Sequence, residues 1–222
     1  MDTIRCVVKP KDVEFTFAIR PKTEKGANEE QGTIKLDSYQ ENPAYSILLK
    51  HHGVFQQKLP SSLPSRDHGE HQMEIDTSEA IFRRQWRQSP AQEQVIRALI
   101  EEMLAAGLIR PSPSQHGAPT FCVKKAVGWR IVHDYRAMNS HTVRRTLPMP
   151  HKDTIIEKMQ GSHWYSCMDL LSGYYQFCMR DSDVPLTAFQ TADGAYEYLV
   201  LPMGLSNAPA TFNTRIQRTI SI

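Results

Sequence analysis

Paired cysteines are missing. Cys6, Cys122, Cys167 and Cys178 are scattered with no paired spacing, which excludes a disulfide framework and a zinc motif. A reducing compartment follows as the expectation: intracellular, cytoplasmic or nuclear, and not secreted. His68 and His71 flank Gly69-Glu70 without a cysteine pair, so no metal role is assigned to them. No apolar run approaches the length of a membrane span. Asp2, Arg5, Lys9 and Lys11 interrupt the start, so no secretory signal is visible. No internal repeat is present. The first 44 residues hold neither Asp-Thr-Gly nor Asp-Ser-Gly, so nothing supports an aspartic protease site. A strong net charge is also lacking: the formal value of +2 argues for no class of partner.

What is there is enough to fold. Hydrophobic residues make up 40% and charged residues 23% of 222 positions, sufficient for one or two domains with a sizeable core. Residues 1–44 read as a small β-rich piece of unknown role. Val13, Phe15, Phe17 and Ile19 alternate with polar residues there, and Thr33–Leu36 suggests a second strand. Residues 45–88 read as a connector. It has a short helix after Asn42-Pro43 in which Tyr45, Leu48 and Leu49 share a face, a Pro/Ser-rich linker from Leu59 to Gly69, and a brief strand over Gln72–Ile75. Residues 89–222 form the main body. Ser89-Pro90-Ala91-Gln92 predicts a capping box, and Ile96, Leu99, Ile100, Met103 and Leu104 form the apolar stripe of a helix stopped at Gly107.

Thr120–Val123 and Trp129–Val132 predict a hairpin closed near Gly128. Further strands are expected over Phe177–Met179 and Leu186–Phe189. Asp193-Gly194 predicts a turn returning through Tyr196–Leu201. Pro202-Met203-Gly204 reads as another turn, before a last helix opened by Ser206–Pro209. Charge is one-sided around the first hairpin. From Pro111 to Lys152 the basic residues are Lys124, Lys125, Arg130, Arg136, Arg144, Arg145 and Lys152, against the single acid Asp134. Such a surface suits phosphates. The chain is centred on the strand-like stretch Trp164–Tyr174. Its apolar lead-up delivers one carboxylate, Asp169, to the strand end. A buried acid needs a cationic partner, and carboxylate oxygens suit hard cations.

The ordered motifs carry a resemblance. They are Gly107–Ser112, Gly117-Ala118-Pro119, Val123-Lys124-Lys125, and Trp129-Arg130 leading to Asp134–Asn139. Next come Met168-Asp169-Leu170 with Ser172-Gly173-Tyr174, then Thr187-Ala188-Phe189, and last Leu201–Phe212. Residues 89–217 resemble the reverse transcriptase of gypsy-type LTR retrotransposons, part of a retroviral-type Pol polyprotein. The stretch from Tyr45 to Ile75 is similar to the connector that joins protease and polymerase in such polyproteins.

The resemblance implies an α+β fold: fingers plus an incomplete palm of a right-hand polymerase, with an antiparallel sheet and packed helices. It implies template-directed phosphoryl transfer by an RNA-directed DNA polymerase using Mg2+. The partners would be an RNA or DNA template with primer, deoxynucleoside triphosphates, and the remaining palm, thumb and RNase H parts of the polyprotein, with no membrane. Asp169 matches the first metal-binding, catalytic carboxylate. Arg130 matches a hairpin arginine on the nucleotide phosphates, and Lys125 lies near the triphosphate lysine. Here Lys-Lys-Ala-Val-Gly stands where relatives carry Lys-Lys-Lys-Asp-Gly. Backbone amides from Leu170 to Gly173 would hold phosphates. Tyr174 would stack under the sugar and select deoxyribose, and Met203 would make an apolar nucleotide contact. Lys124, Arg144 and Arg145 would meet nucleic acid, while Asp134 and Arg136 would form a structural pair. The family's Tyr-x-Asp-Asp hairpin is not reached before Ile222, so this chain alone is expected to be inactive. The alternatives are a non-catalytic nucleic-acid-binding fragment or the product of a decayed element.

Overall fold

A computed structural model describes residues 4–7, 16–19, 40, 45–50, 62–125, 128–145, 152–161 and 172–220. They divide into two compact units, Met1–Leu59 with Pro148–Leu171, and Pro60–Leu147 with Ser172–Ile222. In the first unit, β1 (Ile4–Val7) and β2 (Thr16–Ile19) pair antiparallel with Cys6 opposite Phe17. This agrees with the alternation that ends at Ile19; the expected strand over Thr33–Leu36 lies outside the described residues. Helix α1 (Tyr45–Lys50) forms where expected, with Ile47 and Leu49 both exposed. The same unit holds α4 (Lys152–Met159).

The second unit is built on a five-stranded sheet. Its strands are β4 (Ile109–Pro111), β5 (Ala118–Lys124), β6 (Trp129–His133), β8 (Phe189–Gln190) and β9 (Ala195–Tyr198). The spatial order is β4-β9-β8-β5-β6. Every pairing is antiparallel except β5 with β8, so the sheet is mixed. A closed turn joins β8 to β9: the Thr191 amide donates to the Gly194 carbonyl at 2.8 Å, as Asp193-Gly194 predicts.

Helix α2 (Pro90–Ala105) packs against this sheet and starts as its sequence dictates. Ser89 accepts from the Gln92 amide while Gln92 accepts from the Ser89 amide. Ile96, Ile100 and Met103 are buried, and the chain leaves through Gly107 at φ +68°, a conformation glycine adopts without strain. Arg97 ties α2 to the β8–β9 turn through a two-pronged pair with Asp193, at 2.6 and 3.0 Å. The core centres on Phe189, Tyr198, Met179, Val200 and Leu201, all fully buried. Each such side chain contributes about 1.5–3 kcal/mol by leaving water.

Three local expectations are corrected. The connector strand is Glu70–His71 (β3), not Gln72–Ile75, and it pairs in parallel with β7 (Cys178–Met179). The Met73 amide donates instead to the Asp183 carboxylate at 2.8 Å, so a side chain takes the place of a strand partner. Secondly, Asp181–Thr187 is a 3₁₀ helix, and only Phe189 of the expected strand is one. Pro185 has no amide for a ladder, and Asp181 and Asp183 favour the positive start of a helical turn. Thirdly, the serine-rich linker is partly built. Ser65 caps a 3₁₀ turn, Arg66–His68, and Arg66 pairs with Asp181 at 2.6 Å and with Glu70. The connector then continues along the helix α3 (Arg136–His141): Ile75 bridges Thr142, and the Asp76 amide donates to the His141 carbonyl at 2.9 Å.

Candidate functional site

Hairpin β5–β6 carries the predicted phosphate contacts. Val123 stands opposite Arg130, and Lys124 opposite Trp129. The turn closes where the Lys125 amide meets the Gly128 carbonyl at 3.0 Å, with Gly128 at φ +73°. Burial falls along both strands from the base of the hairpin to its tip. Thr120, Cys122 and His133 point inward, while Lys124, Lys125 and Arg130 toward the tip are exposed. None of these three cations forms an ion pair among the described residues. Exposed Trp86 lies 5.5 Å from the Phe121 ring on the hairpin's flank.

Beneath the hairpin lies a polar chain that sequence reading missed. His133 Nδ1 is 2.9 Å from Thr120 Oγ1, and its Nε2 is 2.8 Å from the Tyr198 hydroxyl. Burial pushes the His133 imidazole down to about 3, so it stays neutral at ordinary pH. Burial raises the Tyr135 and Tyr198 hydroxyls well above their usual range. Tyr135 donates to the Thr187 carbonyl at 2.6 Å. Burial also raises Tyr175, opposed by its hydrogen bond with Tyr198 and by the charge of Arg130. The only signal in the sequence is that His133 directly follows the expected strand Trp129–Val132, two residues before Tyr135, and nothing there named its partners.

The remaining predicted residues surround this hairpin in different ways. Tyr174 is half-buried in a 3₁₀ turn, Gly173–Gln176, and meets the Phe212 ring edge-on at 5.2 Å. The turn replaces the strand-like continuation expected through Tyr174. It is entered through Ser172 at φ +44°, a left-handed conformation that costs a serine about 1–2 kcal/mol. Met203 is exposed in the turn before α5 (Ala208–Ile220). Gly204, at φ +102°, passes the Tyr135 ring so closely that a Cβ there would lie 3.4 Å from it, which brings the Met203 turn to the base of β6. Asn139 fixes that turn by donating to the Gly204 carbonyl and accepting from the Ser206 amide, both at 2.8 Å. Asp134 and Arg136 form the expected pair through two bonds of 2.7 and 2.8 Å, and the guanidinium holds the Asp134 carboxyl below its usual range. Arg144 is exposed, whereas Arg145 pairs with Glu74 at 2.7 Å.

Asp169 and Leu170 lie outside the described residues. Among the described residues no group of three or more His, Cys, Asp or Glu could hold a metal ion. Asp181 and Asp183 are engaged elsewhere, with Arg66 and with Arg180. No helix among the described residues is long and apolar enough to cross a membrane.

An exposed basic hairpin over a mixed sheet with packed helices defines the fingers and palm of a right-hand polymerase. The comparisons with known proteins agree. The reverse transcriptase (RNA-dependent DNA polymerase) family matches residues 123–221. The Pol polyprotein of the Drosophila melanogaster transposon 297 is 36% identical over 148 residues, covering 64% of this chain and 14% of that protein. The enzymatic polyprotein of cauliflower mosaic virus (strain Strasbourg) is 34% identical over 152 residues, covering 66% and 22%. Among solved structures, the prototype foamy virus protease–reverse transcriptase superposes with a TM-score of 0.71 at 22% identity, over 86% of this chain and 26% of that one. A foamy viral protease–reverse transcriptase solved with an RNA/DNA hybrid gives 0.65 at 21% identity, over 80% and 24%. The chain thus carries a reverse transcriptase segment of a retroelement Pol polyprotein, and it spans 14% of the transposon 297 relative's length.

Proposed function

We propose that this segment receives the incoming deoxynucleoside triphosphate and holds the primer–template for RNA-directed DNA synthesis. The observation that carries the reading is the exposed set Lys125 and Arg130 on the hairpin, in no ion pair among the described residues. In the reaction the primer 3′-hydroxyl loses its proton and bonds to the α-phosphorus. The bond from that phosphorus to the bridging oxygen breaks, and pyrophosphate leaves. Arg130 offers a planar fork to two oxygens of the departing phosphates, and Lys125 adds a point charge. Tyr174, backed by Phe212, presents its ring beneath the sugar and leaves no room for a 2′-hydroxyl. Met203 contributes an apolar contact, and the main chain from Leu170 to Gly173 supplies amides. Lys124, Arg144 and Arg145 hold nucleic acid through its phosphates, in keeping with the nucleic-acid complexes of the foamy viral neighbours.

Reverse transcriptases work with divalent cations, which supply Lewis-acid stabilisation of phosphoryl charge. Asp169 is the residue assigned to Mg2+. Among the described residues no cluster fits the ion. The remaining parts of the polyprotein are its structural partners.

The test needs no turnover. A fluorescent RNA–DNA hybrid with a template overhang is titrated with the protein, and the complementary deoxynucleoside triphosphate is then added. Hybrid binding should weaken with salt, and the nucleotide should tighten it. Arg130→Ala should abolish the tightening while leaving hybrid affinity within about twofold, since one phosphate contact is not lost from the hybrid itself. Tightening that persists in both Arg130→Ala and Lys125→Ala would remove the assignment of the hairpin.

A further inference from the structure

Beyond the residues that face the ligands, one buried side chain links two of their supports. Asn207 is 4% exposed at the head of α5. An asparagine there ordinarily caps its own helix. This carboxamide is turned instead to the neighbouring segment, where Nδ2 donates to the Val143 carbonyl at 2.8 Å and Oδ1 accepts the Arg145 amide at 3.1 Å. One side chain thus fills two main-chain positions two residues apart, as an adjoining strand would. On the near side, the Val143 amide donates to the Glu74 carbonyl at 2.8 Å, continuing the Ile75–Thr142 bridge. The segment 143–145 is therefore held between the connector and Asn207.

The consequence falls on Arg144. Arg145 is drawn to Glu74 by a 2.7 Å ion pair. Arg144 lies between the two main-chain groups that Asn207 holds. It is exposed and forms no ion pair among the described residues. Asn139 makes the reciprocal bond, from α3 to the Met203 turn. The two carboxamides cross between the same pair of segments and lock their register.

We propose that Asn207 is a positioning residue for nucleic-acid binding: its two main-chain bonds hold 143–145 so that Arg144 meets a phosphate of the primer–template. This rests on the reading of Arg144 given above. The test measures hybrid affinity against salt for the wild type, Arg144→Ala, Asn207→Ala and the double variant, with folding followed by thermal melting. Arg144→Ala should lower the slope of log K against log salt by about 0.7–0.9, the loss of one phosphate contact. Asn207→Ala removes no charge, yet it should lower the slope by the same amount, and the double variant should add nothing further. If the alanine variant does not fold, Asn207→Ser, a neutral cap for α5 whose hydroxyl ends one bond short of both carboxamide atoms, carries the same comparison. A wild-type slope in the Asn207 variant beside an effective Arg144→Ala overturns this proposal alone, as does additivity in the double variant. A silent Arg144→Ala overturns the assignment of Arg144 itself, and the proposal with it.

Discussion

Two buried imidazoles make the fold sensitive to acid. His133 is held neutral by burial, down to about 3. His71 is lowered to about 4, chiefly by burial and then by the charge of Arg145, against the opposing charge of Asp183. An unfolded histidine binds its proton near pH 6.5. Below that pH the unfolded chain takes up protons that the folded one refuses, so stability is full above pH 6.5 and falls as pH drops toward 4. Each ring contributes up to about 1.4 kcal/mol per pH unit over that window. Urea denaturation between pH 7.5 and 4.5 should show the fall, and His133→Gln should flatten it. An unchanged slope in that variant counts against the buried, neutral assignment. Tyr198→Phe is a milder probe. It leaves His133 Nε2 without its hydroxyl partner and should cost about 1–3 kcal/mol at pH 7, read from the same denaturation.

At the scale of elements, legibility followed how local the cause was. The capping box of α2 was readable because Ser89 and Gln92 are three residues apart and satisfy each other. Ser89→Ala should lower stability by about 1 kcal/mol in chemical denaturation. The β5–β6 and β8–β9 hairpins were readable for the same reason, since a short turn and alternating side chains fix each one. The parallel β3–β7 pair was not. Its register depends on Asp183, more than a hundred residues from Met73, accepting an amide that a strand would otherwise use. Asp183 is also gripped by Arg180 at 2.9 and 3.0 Å, with its own side chain buried. Asp183→Ala should cost about 3 kcal/mol, because it leaves a partly buried guanidinium and the Met73 amide without their acceptor. A loss under about 0.5 kcal/mol, the size of an ordinary surface change, would show that the connector is not held there.

For the whole molecule, composition misled and distribution informed. A formal charge of +2 suggested no partner, yet the hairpin segment carries its cations exposed. The α+β fingers and palm were legible because the motifs occur in order along the chain. The candidate site was legible only as a set of positions. Arg130, Tyr174 and Met203 are proposed from pattern, but the bonds that hold their surroundings were not legible. His133 acts through bonds to the Thr120 and Tyr198 side chains, and Asn139 and Asn207 through bonds to distant main chain, which no spacing in the sequence announces. Arg145 was read as a nucleic-acid contact, and the structure shows it paired with Glu74.

The parallel pairing of β3 with β7 also sets an order of events at the ribosome. Glu70 must wait for Cys178, its partner in the register, which is made 108 residues later by the difference of their positions. At about 5–20 residues per second, the delay is roughly 5–20 s. Throughout it Met73, buried in the finished protein, lacks the later part of its core, from Phe177 to Ala208. Nascent chains halted before residue 178 should therefore engage holding chaperones through this connector, and release should come once the later strand emerges.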